Sequence, residues 1–123
     1  MNLTKEQAIE GHRKMWNWIA DRIEETRSLC VISSLEYKYC EQHSLHLDCN
    51  CFCCEYNCIE NNSLDCSKCP LEWGSDLKEF MCLDKNKEDD HEGLYSLCDY
   101  AKTWQEQVEL ARKIANLPVR EDV

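Results

Sequence analysis

Two pairs of cysteines, each with the spacing C-x-x-C, lie eleven residues apart in the middle of this 123-residue chain. A C-x-x-C turn directs two sulfur atoms toward one point. Two such turns supply the four thiolates of a closed structural zinc site, each about 2.3 Å from the metal. Paired C-x-x-C turns on one short loop are a strong zinc signature. We therefore predict a Zn²⁺ site with four ligands: Cys51, Cys54, Cys66 and Cys69.

The ligand register and the metal both have alternatives. Four cysteines also fit an iron–sulfur cluster. His43 and His46 lie just before the loop with i, i+3 spacing, and one of them could be a ligand. The simpler interpretation is a polar pair at a helix end. Cysteine is so dense in this part of the chain that the register stays open among six residues: Cys49, Cys51, Cys53, Cys54, Cys58 and Cys82.

The surroundings of the thiols do not favour catalysis. A reactive thiolate needs a pKa depressed by a basic neighbour or a helix N-terminus, whereas the neighbours in this sequence are mostly acidic. A catalytic zinc keeps a fourth position open for water. The H-x-E…P-C-x-x-C signature of zinc deaminases is absent, because Pro70 follows the second C-x-x-C instead of preceding it. We predict that the protein is not an enzyme.

The net charge of −10 is confined to one part of the chain. Residues 1–29 carry five basic and five acidic side chains, and residues 100–123 carry four of each, so residues 30–99 hold the whole imbalance. A surface that follows nucleic-acid phosphates needs clustered Lys and Arg. Direct nucleic-acid binding is therefore not expected, and a basic protein partner is.

The cysteine count and the hydropathy pattern predict a cytoplasmic protein. Eleven cysteines cannot close into a complete disulfide set within one chain, which favours reduced thiols. The first residues, MNLTKEQAIEGHRK, contain no apolar run of the signal-peptide type. No stretch approaches the roughly 18 apolar residues of a membrane span, so we expect no membrane association.

A long N-terminal helix must position one side of the metal loop. Thr4 and Gln7 form a capping-box pattern, and apolar residues then recur with the helical period of 3.6. These features predict a helix over residues 4–30. Gly11 lies inside it, at a cost of about 1 kcal/mol relative to alanine. The stripe comprises Ala8, Met15, Ile19, Ile23 and Cys30, widened by Trp16 and Ala20.

A second long helix is predicted over residues 96–117. Ser96 with Asp99 resembles a start signal, and Pro118 cannot continue a helix. Between the long helices we predict a short helix over residues 35–42, capped by Ser33. The apolar stripe of the last helix is Leu97, Ala101, Trp104, Val108, Ala111 and Ala115.

These elements together predict a mainly α fold. Three Gly and two Pro are too few for the turns of a mostly β protein. We expect a single domain over residues 1–123 in which the two long terminal helices pack together around Trp16 and Trp104. A four-cysteine zinc loop, over about residues 49–83, is inserted between them. Trp18 and Trp73 are either binding-surface residues or, more simply, packing residues around that insert.

The segments CFCCEY and CSKCPLEW resemble small uncharacterised zinc-knuckle proteins of phages and mobile elements of Gram-positive bacteria. The ending WQEQVELARKIANLPVRED is similar to theirs too, so the likeness covers about the second half of the chain. It implies the four-cysteine ligand pattern given above, to which three cysteines are extra. It also implies a small accessory protein that blocks a host defence system. The extra cysteines are Cys49, Cys53 and Cys58.

Three functions remain as hypotheses. The first is a non-enzymatic, zinc-stabilised acidic protein that binds and inhibits a basic, nucleic-acid-handling host or defence protein. The second is a protein that sequesters a small ligand or signalling nucleotide, for which the end helices offer four cations. The third is a zinc-finger nucleic-acid binder, which lacks a basic recognition helix after the loop. The four cations are Arg13, Lys14, Arg112 and Lys113.

Overall fold

A computed structural model describes residues 4–45, 52, 70–71 and 94–119 of the chain. These residues form helices α1 (Lys5–Thr26), α2 (Ile32–Gln42), α3 (Leu94–Asp99) and α4 (Trp104–Ala115). Within the described part of the chain no β-strand is present, and one isolated β-bridge occurs. The predicted class, mainly α, is therefore confirmed for these residues.

Helix α1 begins as predicted and ends early. The Thr4 hydroxyl accepts the N–H of Gln7 at 3.1 Å, and the Thr4 N–H donates to the Gln7 side chain at 2.9 Å, which is a complete capping box. Arg27 adopts the left-handed conformation (φ 50°, ψ 43°), and its N–H closes the last turn on the carbonyl of Ile23. The prediction of a helix to residue 30 is therefore wrong.

Helix α2 begins before its predicted start at residue 35. Its N-cap residue, Val31, makes no side-chain capping bond. The Asp99 carboxylate instead accepts the N–H of Ile32 at 3.2 Å. A carboxylate at this position also interacts favourably with the positive end of the helix dipole. The predicted cap at Ser33 is wrong, because Ser33 already lies in the first turn.

The predicted single helix over residues 96–117 is instead two helices, α3 and α4. Thr103 separates them, because its backbone is extended (φ −131°, ψ 155°) and cannot belong to a continuous helix. Its hydroxyl accepts the N–H of Glu106 at 3.1 Å and caps the new helix. The last helix is consequently short and ends at Ala115.

Helices α1 and α4 pack together in antiparallel orientation. His12, near the start of α1, contacts the end of α4 at Ile114, and Asp21, further along α1, contacts Arg112. The main helix–helix contact is between these two, as predicted for the terminal helices. Their shared core includes Met15, Trp16, Ile19, Ile23, Ala111, Ile114 and Ala115.

The buried face of α4 is rotated relative to the predicted stripe. Trp104 is only half-buried, so its predicted central position is wrong, while Trp16 is buried as predicted. The polar side chain of Gln107 lies on the packed face of α4. A search for apolar residues does not find it. The buried residues of α4 are Gln107, Ala111, Ile114 and Ala115.

Candidate functional site

The predicted zinc ligands all lie outside the described residues. This holds for Cys51, Cys54, Cys66 and Cys69, and for the alternatives Cys49, Cys53, Cys58, Cys82 and His46. The structure does describe the sequence neighbours of both C-x-x-C pairs. These neighbours show where residues close in sequence to each pair contact the helices.

Phe52 lies between Cys51 and Cys54 in the sequence and is buried against both α1 and α2. Its ring lies directly on Gly11 of α1, so close that a β-carbon at position 11 would overlap it. The ring of Tyr39 in α2 meets it edge-on, with the centroids 6.4 Å apart. The absence of a side chain at Gly11 therefore makes room for an aromatic ring from the cysteine-rich segment.

Pro70 and Leu71 directly follow the second C-x-x-C pair, and both are fully buried. Leu71 forms an antiparallel β-bridge with Val119, just beyond α4. Leu71 also belongs to the same core cluster as Phe52. The chain is therefore fixed to the helical core two residues after Cys69.

Both attachment points lie at the same end of the α1–α4 pair. Gly11 precedes His12, whose ring contacts Ile114, and Val119 follows Ile114 after five residues. We call this the anchor end, defined by Gly11, Phe52, Leu71 and Val119. The structure thus brings the neighbours of the two predicted half-sites to one end of the helix pair.

The described cysteines, Cys30, Cys40 and Cys98, are present as thiols. Burial, reinforced by the negative charges of Asp99 and Glu36, raises the pKa of the Cys98 thiol to about 12. Cys98 therefore stays protonated near neutral pH. Acidic neighbours shift a thiol pKa in this same upward direction. Among the described residues, no group of three or more His, Cys, Asp or Glu side chains is placed to hold a metal ion.

Tyr39 of α2 is the centre of an aromatic cluster. The ring of His43 lies 4.2 Å from it, and Trp18 of α1 meets it edge-on at 5.5 Å. The Arg22 guanidinium lies 5.9 Å from the Trp18 ring centroid, within cation–π range. Trp18 is half-buried and packs against α2. Trp73, its predicted companion, lies outside the described residues.

His12 is a buried titratable group that the apolar pattern does not reveal. Its Nε2 donates to the carbonyl of Ile114 at 2.8 Å. Burial lowers the pKa of His12 to about 4, against the opposing effect of this hydrogen bond, and the charge of Arg13 lowers it further. The imidazole is therefore neutral at pH 7 and ties α1 to α4 at the anchor end.

The four cations of the ligand-binding hypothesis do not converge on one site. Arg112 donates to the Asp21 carboxylate at 2.7 Å and also reaches the side chains of Asn17 and Glu24. Arg13 donates to a backbone carbonyl at the end of α4, and Lys14 pairs with Glu10. Arg13 and Lys14, but neither Arg112 nor Lys113, line a groove of about 760 Å³ on α1.

This groove has apolar walls and a balanced rim of charge. Ile9, Trp18 and Val119 supply apolar surface. Lys5, Arg13 and Lys14 line it together with Glu6, Glu10 and Asp21, so its formal charges cancel. A balanced rim does not select strongly for an anion.

Gln107 is the most extensively bonded buried side chain of α4. Its amide donates to the carbonyls of Cys30 at 2.8 Å and Cys98 at 3.0 Å, and its oxygen accepts the N–H of Cys30 at 2.9 Å. One fully buried amide thus joins α4 to the α1–α2 loop and to α3. We call this arrangement the Gln107 clasp. A lone Gln among apolar positions is its only sequence signal.

Comparisons of the chain with protein-family models, curated proteins and solved structures found no match. In the described part of the chain, no helix combines the length and apolar character needed to cross a membrane.

Proposed function

We propose that this chain is a non-enzymatic, zinc-stabilised acidic protein that binds and inhibits a basic, nucleic-acid-handling protein of the host or of its defence systems. The observation that carries the proposal is the separation of charge. Residues 1–29 and 100–123, which contain the helix pair, are each electrically balanced, and residues 30–99 carry the net charge of −10. The resemblance to zinc-knuckle proteins of phages and mobile elements is consistent with this role.

The helix pair satisfies most of its own charges. The described ion pairs lie within α1 or between α1 and α4, and the closest joins Arg112 to Asp21 at 2.7 Å. Their partners are Lys14 with Glu10, Arg22 with Glu25, and Arg112 with both Asp21 and Glu24. The acidic excess of residues 30–99 therefore dominates the long-range field, which attracts a basic surface.

Zinc is the proposed staple of the cysteine-rich segment. Phe52 lies within the first C-x-x-C pair in the sequence, and Leu71 lies two residues after the second. Both residues are fixed at the same end of the helix pair. Holding Phe52 and Leu71 near one end would reduce the chain entropy that is lost when the four neighbouring thiolates meet one ion. The residues that would hold it are Cys51, Cys54, Cys66 and Cys69. Bound zinc would contribute stability rather than a reaction step.

Elemental analysis of the purified chain tests the metal. We expect about one zinc per chain, and loss of that zinc when Cys66 and Cys69 are both replaced by Ser. Structural zinc contributes on the order of 10 kcal/mol in small zinc-finger peptides, so the double variant should also unfold more easily. Cys30→Ser is the matched control and should keep its zinc. A fully folded, metal-free preparation would contradict the proposed staple.

Salt dependence tests the basic partner. A protein captured from host lysate and then purified should bind at a rate that falls steeply as NaCl is raised, since screening weakens electrostatic steering. The triple variant Glu88→Lys, Asp89→Lys, Asp90→Lys should slow binding, because it removes part of the acidic field. A control variant, Glu6→Lys with Glu109→Lys, changes charges on the balanced helices. An association rate that changes neither with salt nor in the triple variant would rule out acidic steering.

The size and aromatic wall of the groove on α1, but not its balanced charge, support ligand sequestration as a second candidate. Its volume of about 760 Å³ suits a nucleotide-sized molecule, and Trp18 offers an aromatic wall. Calorimetric titration with nucleoside mono- and triphosphates tests this function. Sequestration requires measurable heat that Arg13→Glu abolishes, whereas Lys113→Glu, outside the groove, should leave it unchanged.

A further inference from the structure

The ring of Phe52 fills a pocket that α1 and α2 form together. One edge of the ring lies on Gly11, where its carbons take the space that a β-carbon would need. Tyr39 of α2 meets the ring edge-on, with the centroids 6.4 Å apart, and Phe52 is left only 6% exposed. We call this the Phe52 pocket, defined by Gly11 and Tyr39. A side chain at position 11 would close it, because a packed interior has no room for extra atoms.

A row of aromatic contacts leads from this pocket to the surface of α1. Tyr39 meets Trp18 edge-on with the ring centroids 5.5 Å apart. Both aromatic pairs of the row have the tilt and the separation, about 4.5–7 Å between centroids, that such rings prefer. Trp18 in turn lines the groove on α1. The row Phe52–Tyr39–Trp18 therefore connects a residue that lies between Cys51 and Cys54 in the sequence with the wall of that groove.

We propose that Phe52 is a positioning residue for zinc: its packing in the Phe52 pocket sets the zinc affinity of the cysteine-rich segment. The inference rests on the zinc staple proposed above and adds its connection to the helices. Phe52 follows Cys51 directly and precedes Cys54 by two residues, so a ring held in the pocket limits the positions open to its neighbours in the chain. Ligands restricted before the metal arrives bind it more tightly, because less conformational entropy is lost on binding.

The coupling acts in both directions. If the packed ring raises the affinity for zinc, then zinc favours the packed ring by the same factor, because linked equilibria are reciprocal. The packed ring contacts Tyr39, and Tyr39 contacts Trp18. Loss of zinc should therefore loosen the Tyr39–Trp18 contact and alter one wall of the groove on α1.

Competition with a chromogenic zinc chelator measures the zinc affinity of the full chain. Phe52→Ala should weaken zinc binding by about tenfold or more, the usual effect of removing a group that orients metal ligands. Phe52→Leu, which refills much of the pocket, should restore most of the affinity. Gln107→Leu is the matched control, because it destabilises the helices away from the pocket and should bind zinc like the wild type. Equal weakening by Gln107→Leu would show that only general stability matters and would overturn the proposal.

Gly11→Ala tests the pocket without any change in the cysteine-rich segment, and it keeps the proposal testable if Phe52→Ala does not fold. The added methyl group overlaps the ring of Phe52, so this variant should bind zinc several-fold more weakly than the wild type. In the Phe52→Ala background the same substitution should leave zinc affinity unchanged, which a double-mutant cycle measures. Wild-type zinc affinity in Gly11→Ala would overturn the proposal.

Fluorine NMR of the chain labelled with fluorotryptophan follows the coupling in the reverse direction. Removal of zinc by a chelator should shift the signal of Trp18, which Trp18→Phe assigns, and this shift should be lost in Phe52→Ala. Trp104, at the start of α4 and far from the pocket, is the internal control. A wild type that binds no zinc would overturn the zinc staple itself. Zinc bound equally well by Phe52→Ala, with an unmoved Trp18 signal, would overturn only the positioning role.

Discussion

At the anchor end of the α1–α4 pair the buried polar side chain is the imidazole of His12, and at the opposite end it is the amide of Gln107. The His12 ring donates to the carbonyl of Ile114, at the end of the pair where Phe52 and Leu71 join the apolar core. Gln107 makes three bonds to two other segments. The first end therefore depends on burial of apolar surface, and the second on complete pairing of polar groups.

Gln107→Leu should break the Gln107 clasp and cause the largest loss of stability. It keeps the approximate volume but leaves the N–H and carbonyl of Cys30 without their partner, and it leaves the carbonyl of Cys98 with only the 3.4 Å bond from the N–H of Ala101. Unpaired buried polar groups cost about 1–3 kcal/mol each, and we expect a total loss of about 3–5 kcal/mol in the free energy of unfolding, measured by urea denaturation. Gln105→Leu, the same change on the exposed face of α4, should have almost no effect.

Phe52→Ala should loosen the anchor end by about 3–4 kcal/mol, the usual cost of removing a buried aromatic ring. The same denaturation measurement applies, with Phe52→Leu as a milder control. An unchanged midpoint for Phe52→Ala would show that the cysteine-rich segment is not tied to α1 at this point.

Acid should weaken the anchor end selectively. The pKa of His12 is about 4 in the folded protein and about 6.5 when exposed. The unfolded chain therefore binds a proton first as pH falls, and the contribution of the neutral imidazole is present above pH 6.5 and lost progressively toward pH 4. Linkage gives a loss of about 2 kcal/mol by pH 5. His12→Gln should reduce this pH dependence between pH 7 and 5, while Gln107→Leu should retain it.

Gly11→Ala gives the smallest effect, and its sign depends on Phe52. With Phe52 present, the new methyl group overlaps the ring, and overpacking should outweigh the gain in helix propensity by about 1 kcal/mol. In the Phe52→Ala background the ring is gone, so the same substitution should stabilise by about 1 kcal/mol. A double-mutant cycle measures this reversal. Equal effects in both backgrounds would disprove the contact.

The features that could be predicted from sequence are those set by local rules. The Thr4 capping box depends on residues three positions apart, and the stripe of α1 on the helical period, so both are visible without a partner. The start of α4 was visible in the same way, because Thr103 and Glu106 have capping-box spacing. The apolar stripe continues on both sides of Thr103 and predicts one continuous helix, which obscures this signal.

The features that could not be predicted depend on distant residues. Ile32 is capped by Asp99, 67 positions along the chain, and Cys30 is bound by Gln107, 77 positions away. No local pattern encodes such pairs, since each end alone is an ordinary polar or loop residue. The metal ligands are the opposite case. Their spacing alone predicts the zinc site, which stays a prediction because all four cysteines lie outside the described residues.

The antiparallel pairing of α1 with α4 has a consequence for biosynthesis. His12 and Ile114 are 102 positions apart, so the apolar face of α1 has no α4 to cover it until most of the chain has been translated. At about 5–20 residues per second, that delay is roughly 5–20 seconds. Pairing of such distant segments also slows folding after release, because a long loop must close first. During this interval the nascent chain exposes Met15, Trp16 and Ile19, which is apolar surface of the kind that chaperones cover.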